Sequence, residues 1–562
     1  MAKATSAHEH AARFSARQKK IALVVGALAF VMDLLDSTIV NVAIPSIQHN
    51  LGASYATIQW LVAGYSLAFA LLLVTGGRMG DVFGYKKLFM WGVGGFTLAS
   101  LFSGVAWDPS VLIVARFLQG SMAALMVPQV MSMMQIMYKP AERGAINGLF
   151  GALGGMAASL GPIIGGLLIK ANIFGWDWRP IFLINVPVGI FALIAARKYL
   201  PDGKSPHPLK LDIFGTFLIL GTLFLLIYPL IQGRELGWPT WSYIMMVASL
   251  PVLAVFARWQ QIKQKRDGSP LVVPELFRKS SFTLGMLVNV IVEGAMISFF
   301  LTFTLLIQIG LGYSAIHAAL TGLPVAFGIA MTMATAGAKL VVKIGARTMS
   351  IGTIVMSSGL LTTAFMVHRY QLATHSWQFI PGLLLFGVGM GLIFVSLFAV
   401  VLNDVDVSHA GSAPGVLNAI QQVGGAVGVA IIGVILFGSL KANAPTSFQS
   451  VQPQLRAQLT AAHVPATAQP QIMAGIKQCY VDTASAKDQS VTPASCKQAE
   501  SSSLSPALAA DIKHDALQAN AHNFSVAFKK STIFEISLLA LTFILSWFLP
   551  KHIRAEALAE GF

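Results

Sequence analysis

About fourteen mostly apolar stretches follow one another along this chain, at 21–45, 57–77, 88–106, 111–136, 144–169, 181–200, 213–231, 241–257, 282–308, 315–337, 348–367, 377–401, 411–440 and 531–549. Each is near the ~20 residues that an α-helix needs to cross the hydrocarbon layer of a bilayer. The weakest is 241–257, which contains Pro251. Composition agrees: 55% of the 562 residues are hydrophobic, 11% are charged, and mean hydropathy is +0.69, far from a soluble domain. The fold class that follows is an all-α membrane protein with about fourteen transmembrane helices.

The formal charge of +15 does not indicate nucleic acid. Lysines and arginines punctuate the apolar runs instead of forming a patch, as an orientation signal would. With the N-terminus in the cytoplasm, cations gather in the inside loops, for example Arg78/Lys86/Lys87, Arg197/Lys198/Lys204/Lys210 and Lys339/Lys343/Arg347. The short outside loops hold only Lys170, Arg179, Arg234 and Arg369. An even number of spans then puts both termini inside. The basic start before an apolar run is like a signal peptide, but the acids in the first span and the many later spans favour a retained helix.

Those two acids, Asp33 and Asp36, lie three apart and so share a helix face. An ionised carboxylate at bilayer depth costs roughly 2.5–3.5 kcal/mol even on the lenient insertion scale. Such a pair belongs on a polar path through a bundle, which makes proton or cation handling the first functional hypothesis. Arg116, inside the fourth span, must either meet an anion or reach the interface, and Gln119 and Gly120 after it favour a functional pairing. Glu293 is mid-span, with Asn289 one turn earlier on the same face. Its bland alternative is a protonated, hydrogen-bonded structural acid. Glu535 is nearer a span end and reads as interfacial.

The chain also repeats. An offset of 261 (345 − 84) lays Gly345 on Gly84, Gly337 on Gly76, Lys339 on Arg78 and Arg347 on Lys86, and carries Ile21 onto Phe282. Parallel repeats of six-helix halves characterise major facilitator transporters. The expected division is a cytoplasmic tail at 1–20, an N-terminal half at 21–200, two inserted helices and a cytoplasmic linker at 201–281, a C-terminal half at 282–549 and a tail at 550–562. The C-terminal half includes an extracytoplasmic loop at 441–530, whose part from about Pro506 to Phe528 reads as a polar helix. Cys479 and Cys496 lie in that loop, where an oxidising compartment favours a disulfide over two free thiols.

Three motifs add mechanism. After the second span comes Gly76-Gly77-Arg78-Met79-Gly80-Asp81-Val82-Phe83-Gly84-Tyr85-Lys86-Lys87. The fourth span contains Leu112-Ile113-Val114-Ala115-Arg116-Phe117-Leu118-Gln119-Gly120. The fifth carries Gly161-Pro162-Ile163-Ile164-Gly165-Gly166, which combines a helix-breaking proline with glycines that permit close contact. With Leu35 to Pro45 in the first span, Trp178 to Pro187 and Gln232 to Pro239, the chain resembles the fourteen-helix drug–proton antiporters of the major facilitator superfamily, the EmrB/QacA-type group. The resemblance covers nearly everything except 441–530.

That resemblance implies two six-helix pseudo-repeats with two inserted helices. It makes Gly77, Asp81, Gly84 and Lys86 part of an inner-gate motif, Arg116 a proton-relay arginine, and Gly161, Pro162, Gly165 and Gly166 an antiporter signature. Asp36 falls in the family's first-helix motif, and Asp33 departs from it. Other departures are Val82 and Tyr85 where basic residues are common, Ala157 in place of a glycine, and Val342 where Asp81 would repeat.

The expectation is a proton-coupled secondary exporter of amphipathic, cationic or zwitterionic organic compounds. It has Asp36, Asp33 and Arg116 for coupling, and Asp33, Glu293, Asn289, Asn41 and Gln119 for substrate. It needs no cofactor or metal, because the proton gradient supplies the energy. Its partners are small-molecule substrates, protons and the lipid bilayer of a bacterial inner membrane, and the 441–530 loop is where a periplasmic adaptor could dock. One rival is export of a lipid or a specific antibiotic or metabolite. A second is a receptor or enzyme on the same scaffold, against which there is no P-loop, metal cluster or nucleophile–base set; Gly203-Lys204-Ser205 lacks the upstream glycine.

Overall fold

The computed structural model describes residues 14–138, 140–204, 210–334, 337–402, 413–485, 493–496 and 506–549. The tail expected at 550–562 and most of that at 1–20 lie outside them. Every regular element among the described residues is helical. The N-terminal half consists of α1 (Ala16–Leu51), α2 (Tyr55–Phe83), α3 (Tyr85–Gly104), α4 (Pro109–Met137), α5 (Pro140–Ala171) and α6 (Pro180–Tyr199). Two helices follow, α7 (Ile213–Glu235) and α8 (Thr240–Asp267). The C-terminal half has α9 (Ser280–Leu305), α10 (Ala315–Met333), α11 (Arg347–Tyr370), α12 (Ser376–Leu402), α13 (Ala413–Gln449) and α14 (Pro506–Ser546). Each expected span has its helix, including α8, which runs through Pro251.

Local chemistry sets the helix ends. α1 starts in a capping box: the Gln18 N–H donates to Ser15 Oγ at 3.2 Å and the Ser15 N–H to Gln18 Oε1 at 3.1 Å. It stops at Gly52, whose φ of 65° suits a residue without a Cβ. α4 starts at an Asp108 cap with Pro109 in the first turn, where its missing N–H is harmless. Among the described residues, eleven helices are long and apolar enough to cross a membrane by length and composition. α14 misses that criterion because Lys529, Lys530 and Glu535 fall where its apolar second half begins.

The halves meet where α2 lies on α13 and α5 on α10, and α7 touches both α2 and α13 with α8 packed outside it. Leu223, Ile227 and Ile231 of α7 share one apolar core with Trp60, Ala63 and Leu67 of α2. The inserted pair is therefore seated against the seam between halves.

One end of the bundle carries a cap. α13 runs on to Gln449, two helices (Gln452–Ala461 and Gln469–Ser485) follow, and α14 begins in the same layer. Phe448, Leu455, Leu459, Met473, Leu508 and Ala519 form its own small core. Cys479 and Cys496 are joined, with Cα atoms 4.6 Å apart. Closing a loop of this length contributes about 3 kcal/mol in the chain-entropy view. Just below the cap the halves are sealed: the Tyr55 ring stacks on Phe437 at 3.9 Å, and the buried Gln59 amide donates to the Val429 carbonyl at 2.9 Å and that of Ala430 at 3.3 Å.

Candidate functional site

Asp36 is fully buried at the centre of the N-terminal half. Its Oδ2 takes a charged hydrogen bond from Arg116 Nη1, and its Oδ1 accepts from Gln119 Nε2 at 3.0 Å and Asn185 Nδ2 at 2.8 Å. Arg116 is 1% exposed, so it does not reach an interface. Its Nε donates to the Leu61 carbonyl at 3.2 Å and its Nη1 to Gln119 Oε1 at 3.0 Å. Gln119 is held in turn by Ser100 Oγ at 2.8 Å and Ser103 Oγ at 3.0 Å. Five helices, α1, α2, α3, α4 and α6, thus converge on one ion pair. A desolvated pair of this kind is tolerable only when hydrogen bonds replace its lost hydration, and here both Asp36 oxygens and the Arg116 Nε and Nη1 have partners.

Asp33 lies one turn earlier and has a different setting. It is 6% exposed, and its Oδ1 accepts a hydrogen bond from the Tyr65 hydroxyl of α2. The Tyr65 ring lies 4.2 Å beneath the Arg116 guanidinium, a cation–π contact that also has Phe182 at 5.8 Å. Tyr65, Asn185, Ser100 and Ser103 went unassigned from sequence. Only Asn185 had a visible signal there, as an amide in the apolar run Phe182-Leu183-Ile184-Asn185-Val186; the others are ordinary residue types whose role comes from packing.

The other expected substrate groups are more scattered. Asn41 is half-buried further along α1, outside this network. The Asn289 amide nitrogen donates to the Leu417 carbonyl at 3.0 Å, tying α9 to α13, while its Oδ1 is buried with no partner. Glu293 is half-buried beside Gly424 and Gly425 of α13, and its Oε2 is buried with no partner. No ion pair joins it to a cation among the described residues. Glu535 is not interfacial. It is completely buried, with Thr302 of α9 donating to its Oε1 at 3.4 Å and its Oε2 unpartnered. Its place near the end of an apolar run concealed how deeply the cap-bearing α14 packs against α9.

The gate motif sits at the end of the bundle away from the cap. Gly84 has a φ of 100° and separates α2 from α3, and the Tyr85 N–H donates to the Gly203 carbonyl at 2.8 Å. Asp81 accepts from the Tyr85 hydroxyl at 2.8 Å, so the tyrosine that replaces a basic residue holds this carboxylate without charge. Lys86 lies 3.8 Å from the exposed Asp202, a weak contact. Gly77 has ordinary room against Pro128 at 3.7 Å, whereas Gly76 and Gly80 are pressed onto α4.

Arg78 is buried and donates to the Ser269 carbonyl at 2.9 Å and to that of Pro270, clamping α2 to the chain leaving α8. Beside it, burial pushes the Asp212 carboxyl up, but donors from Trp259, Gln260, Gly215 and Leu271 outweigh this and hold it below the usual range. In the antiporter signature, α5 runs through Pro162. A Cβ on Gly165 would lie 2.7 Å from Ile39 of α1, and one on Gly166 2.8 Å from Ile316 of α10. Gly161 faces Thr38 even more closely. The signature therefore seats α5 against its own half and against the other half.

Two helical halves, the first with a sealed ion pair at its own centre, in a chain built of membrane-length helices, are the architecture of a polytopic membrane transporter. The Major Facilitator Superfamily pattern matches residues 26–429, and the chain belongs to that superfamily. It is 39% identical over 549 residues to a probable actinorhodin transporter of Streptomyces coelicolor, covering 98% of this chain and 94% of that one. It is 33% identical to the tetracenomycin C resistance and export protein of Streptomyces glaucescens, over 74% of this chain and 75% of that one. The puromycin resistance protein pur8 of Streptomyces alboniger is also 33% identical, over 75% of this chain and 82% of that one. A crystal structure of a bacterial homolog of the human lysosomal transporter Spinster, inward-facing and occupied, superimposes with a TM-score of 0.57 at 14% identity, over 95% of this chain and 97% of that one. The chain is a multi-pass transporter and not an enzyme.

Proposed function

We propose that this protein is a proton-coupled exporter of amphipathic organic compounds, cationic ones among them, working by alternating access between its halves. The observation that carries the reading is the Asp36–Arg116 pair, fully desolvated and held by the side chains of Gln119 and Asn185 where a purely structural bundle would place apolar residues. A proton from outside neutralises a carboxyl of this centre, and a substrate arriving from the cytoplasm favours its release. The cap would then lie outside and the gate loop after α2 inside. The inner bacterial membrane, the cytoplasmic termini and an adaptor-docking role for the cap belong to this reading.

The names of the relatives favour a second version of the same activity, export of a specific antibiotic or metabolite. Resemblance to the probable actinorhodin transporter extends across the cap as well as the bundle. Glu293 separates the versions, since its unpartnered oxygen gives a substrate cation a counter-charge. In cells expressing the protein, a protonophore should abolish efflux while ATP depletion at a clamped gradient leaves it unchanged. Across a panel of cytotoxic cations, lipids and antibiotics, Glu293→Gln should reduce resistance to cations about tenfold, the effect of losing one charged hydrogen bond, and spare neutral compounds. Efflux that follows ATP, or equal loss for neutral compounds, would contradict these assignments.

A further inference from the structure

The two carboxylates of α1 are solvated by different means. Asp36 is saturated by a guanidinium and two amides, whereas Asp33 has a single uncharged donor, Tyr65. The same Tyr65 ring supports Arg116 from below. Tyrosine has only two side-chain torsions, so a rigid plate carries the hydroxyl that Asp33 needs and the face on which Arg116 rests.

Its backbone is equally constrained. A Cβ on Gly120 of α4 would overlap the Tyr65 carbonyl oxygen and come within 3.0 Å of its carbonyl carbon, and the Phe117 ring packs on the preceding Gly64, where a Cβ would lie 2.8 Å from Cε2. The charged and titratable groups facing Asp33 are Tyr65 from α2, Asp36 on its own helix and Arg116 from α4.

We propose that Tyr65 is a positioning residue that links Asp33 to the Asp36–Arg116 pair, making Asp33 the carboxyl that exchanges its proton while Asp36 keeps the arginine. This rests on the proton-coupled reading above. When Asp33 takes a proton, its demand on the Tyr65 hydroxyl changes, and any movement of that ring alters the support under Arg116. The gain or loss of one proton at Asp33 is thereby felt by the ion pair without Asp36 having to give up its own partners.

The test uses purified full-length protein. Infrared spectra across pH should show a titrating carboxyl band that Asp33→Asn removes, Tyr65→Phe displaces along the pH axis and Glu293→Gln leaves in place. In liposomes with an imposed pH gradient and ethidium as the transported probe, Tyr65→Phe should lower flux about tenfold, as loss of one hydrogen bond to a charged group does, and Asp33→Asn, which removes the exchanging carboxyl, at least as far. The double variant should be no lower than Asp33→Asn alone, because the hydroxyl acts through Asp33. Tyr65→Leu, which also removes the ring beneath Arg116, should fall further.

A Tyr65→Phe band that titrates as in the parent, or a double variant equal to the product of the singles, would overturn the proposal. If the infrared linkage holds but parent flux ignores the gradient, the coupled-transport reading fails and the Tyr65 link survives.

Discussion

Replacing Arg116 with methionine should destabilise the protein by about 3–5 kcal/mol, the usual consequence of leaving a buried charge without its partner. The chemistry is specific to this site. Without the guanidinium, Asp36 keeps only the amides of Gln119 and Asn185, and the Leu61 carbonyl loses its side-chain donor. Adding Asp36→Asn removes the orphaned charge, so the double variant should regain most of the lost stability while remaining inactive in transport. Thermal unfolding of the detergent-solubilised protein measures both. An Arg116→Met protein as stable as the parent, or a double variant no more stable than the single, would mean the pair is not held as described.

The second large effect is expected at Gly120. A valine there places its Cβ against the Tyr65 backbone, which cannot rotate away as a side chain would. Overpacking of this kind costs typically 1–3 kcal/mol, and a backbone obstacle puts Gly120→Val at the upper end of that range. It should also force α2 and α4 apart exactly where Arg116 spans them, so transport should fall more than stability alone explains. Gly154→Ala is the matched control, because its Cβ would meet only Leu34 Cδ1 at 3.6 Å and Phe30 Cε1 at 3.7 Å, ordinary contacts. Unfolding temperature and flux measured on both variants decide the matter, and equal behaviour would refute the close-contact argument.

Much of the architecture was legible in sequence because the bilayer demands one simple pattern, a long apolar run. That pattern located the helices that became α1 to α14, and intramembrane cost singled out Asp36 and Arg116 as partners worth joining.

What periodicity could not show is which apolar helix stands beside which. Ser100, Ser103, Tyr65 and Asn185 lie on three different helices and reach Asp36 or its neighbours only through tertiary packing. The same limit hid the fate of Glu535. A carboxyl near a span end can face lipid headgroups or the interior. Sequence alone leaves that choice open, and helix contacts decide it. In the gate motif the tight turn falls at Gly84 and the close approach to α4 at Gly76 and Gly80.

The central claim is that the buried pair in the N-terminal half couples proton movement to export. Its most direct test is flux in liposomes containing purified protein, driven only by an imposed pH gradient, for the parent and for Asp36→Asn. Gradient-driven flux in the parent, reduced at least about a hundredfold in the variant by loss of roughly 3 kcal/mol of coupling, is the predicted result. Unchanged flux in Asp36→Asn would contradict it.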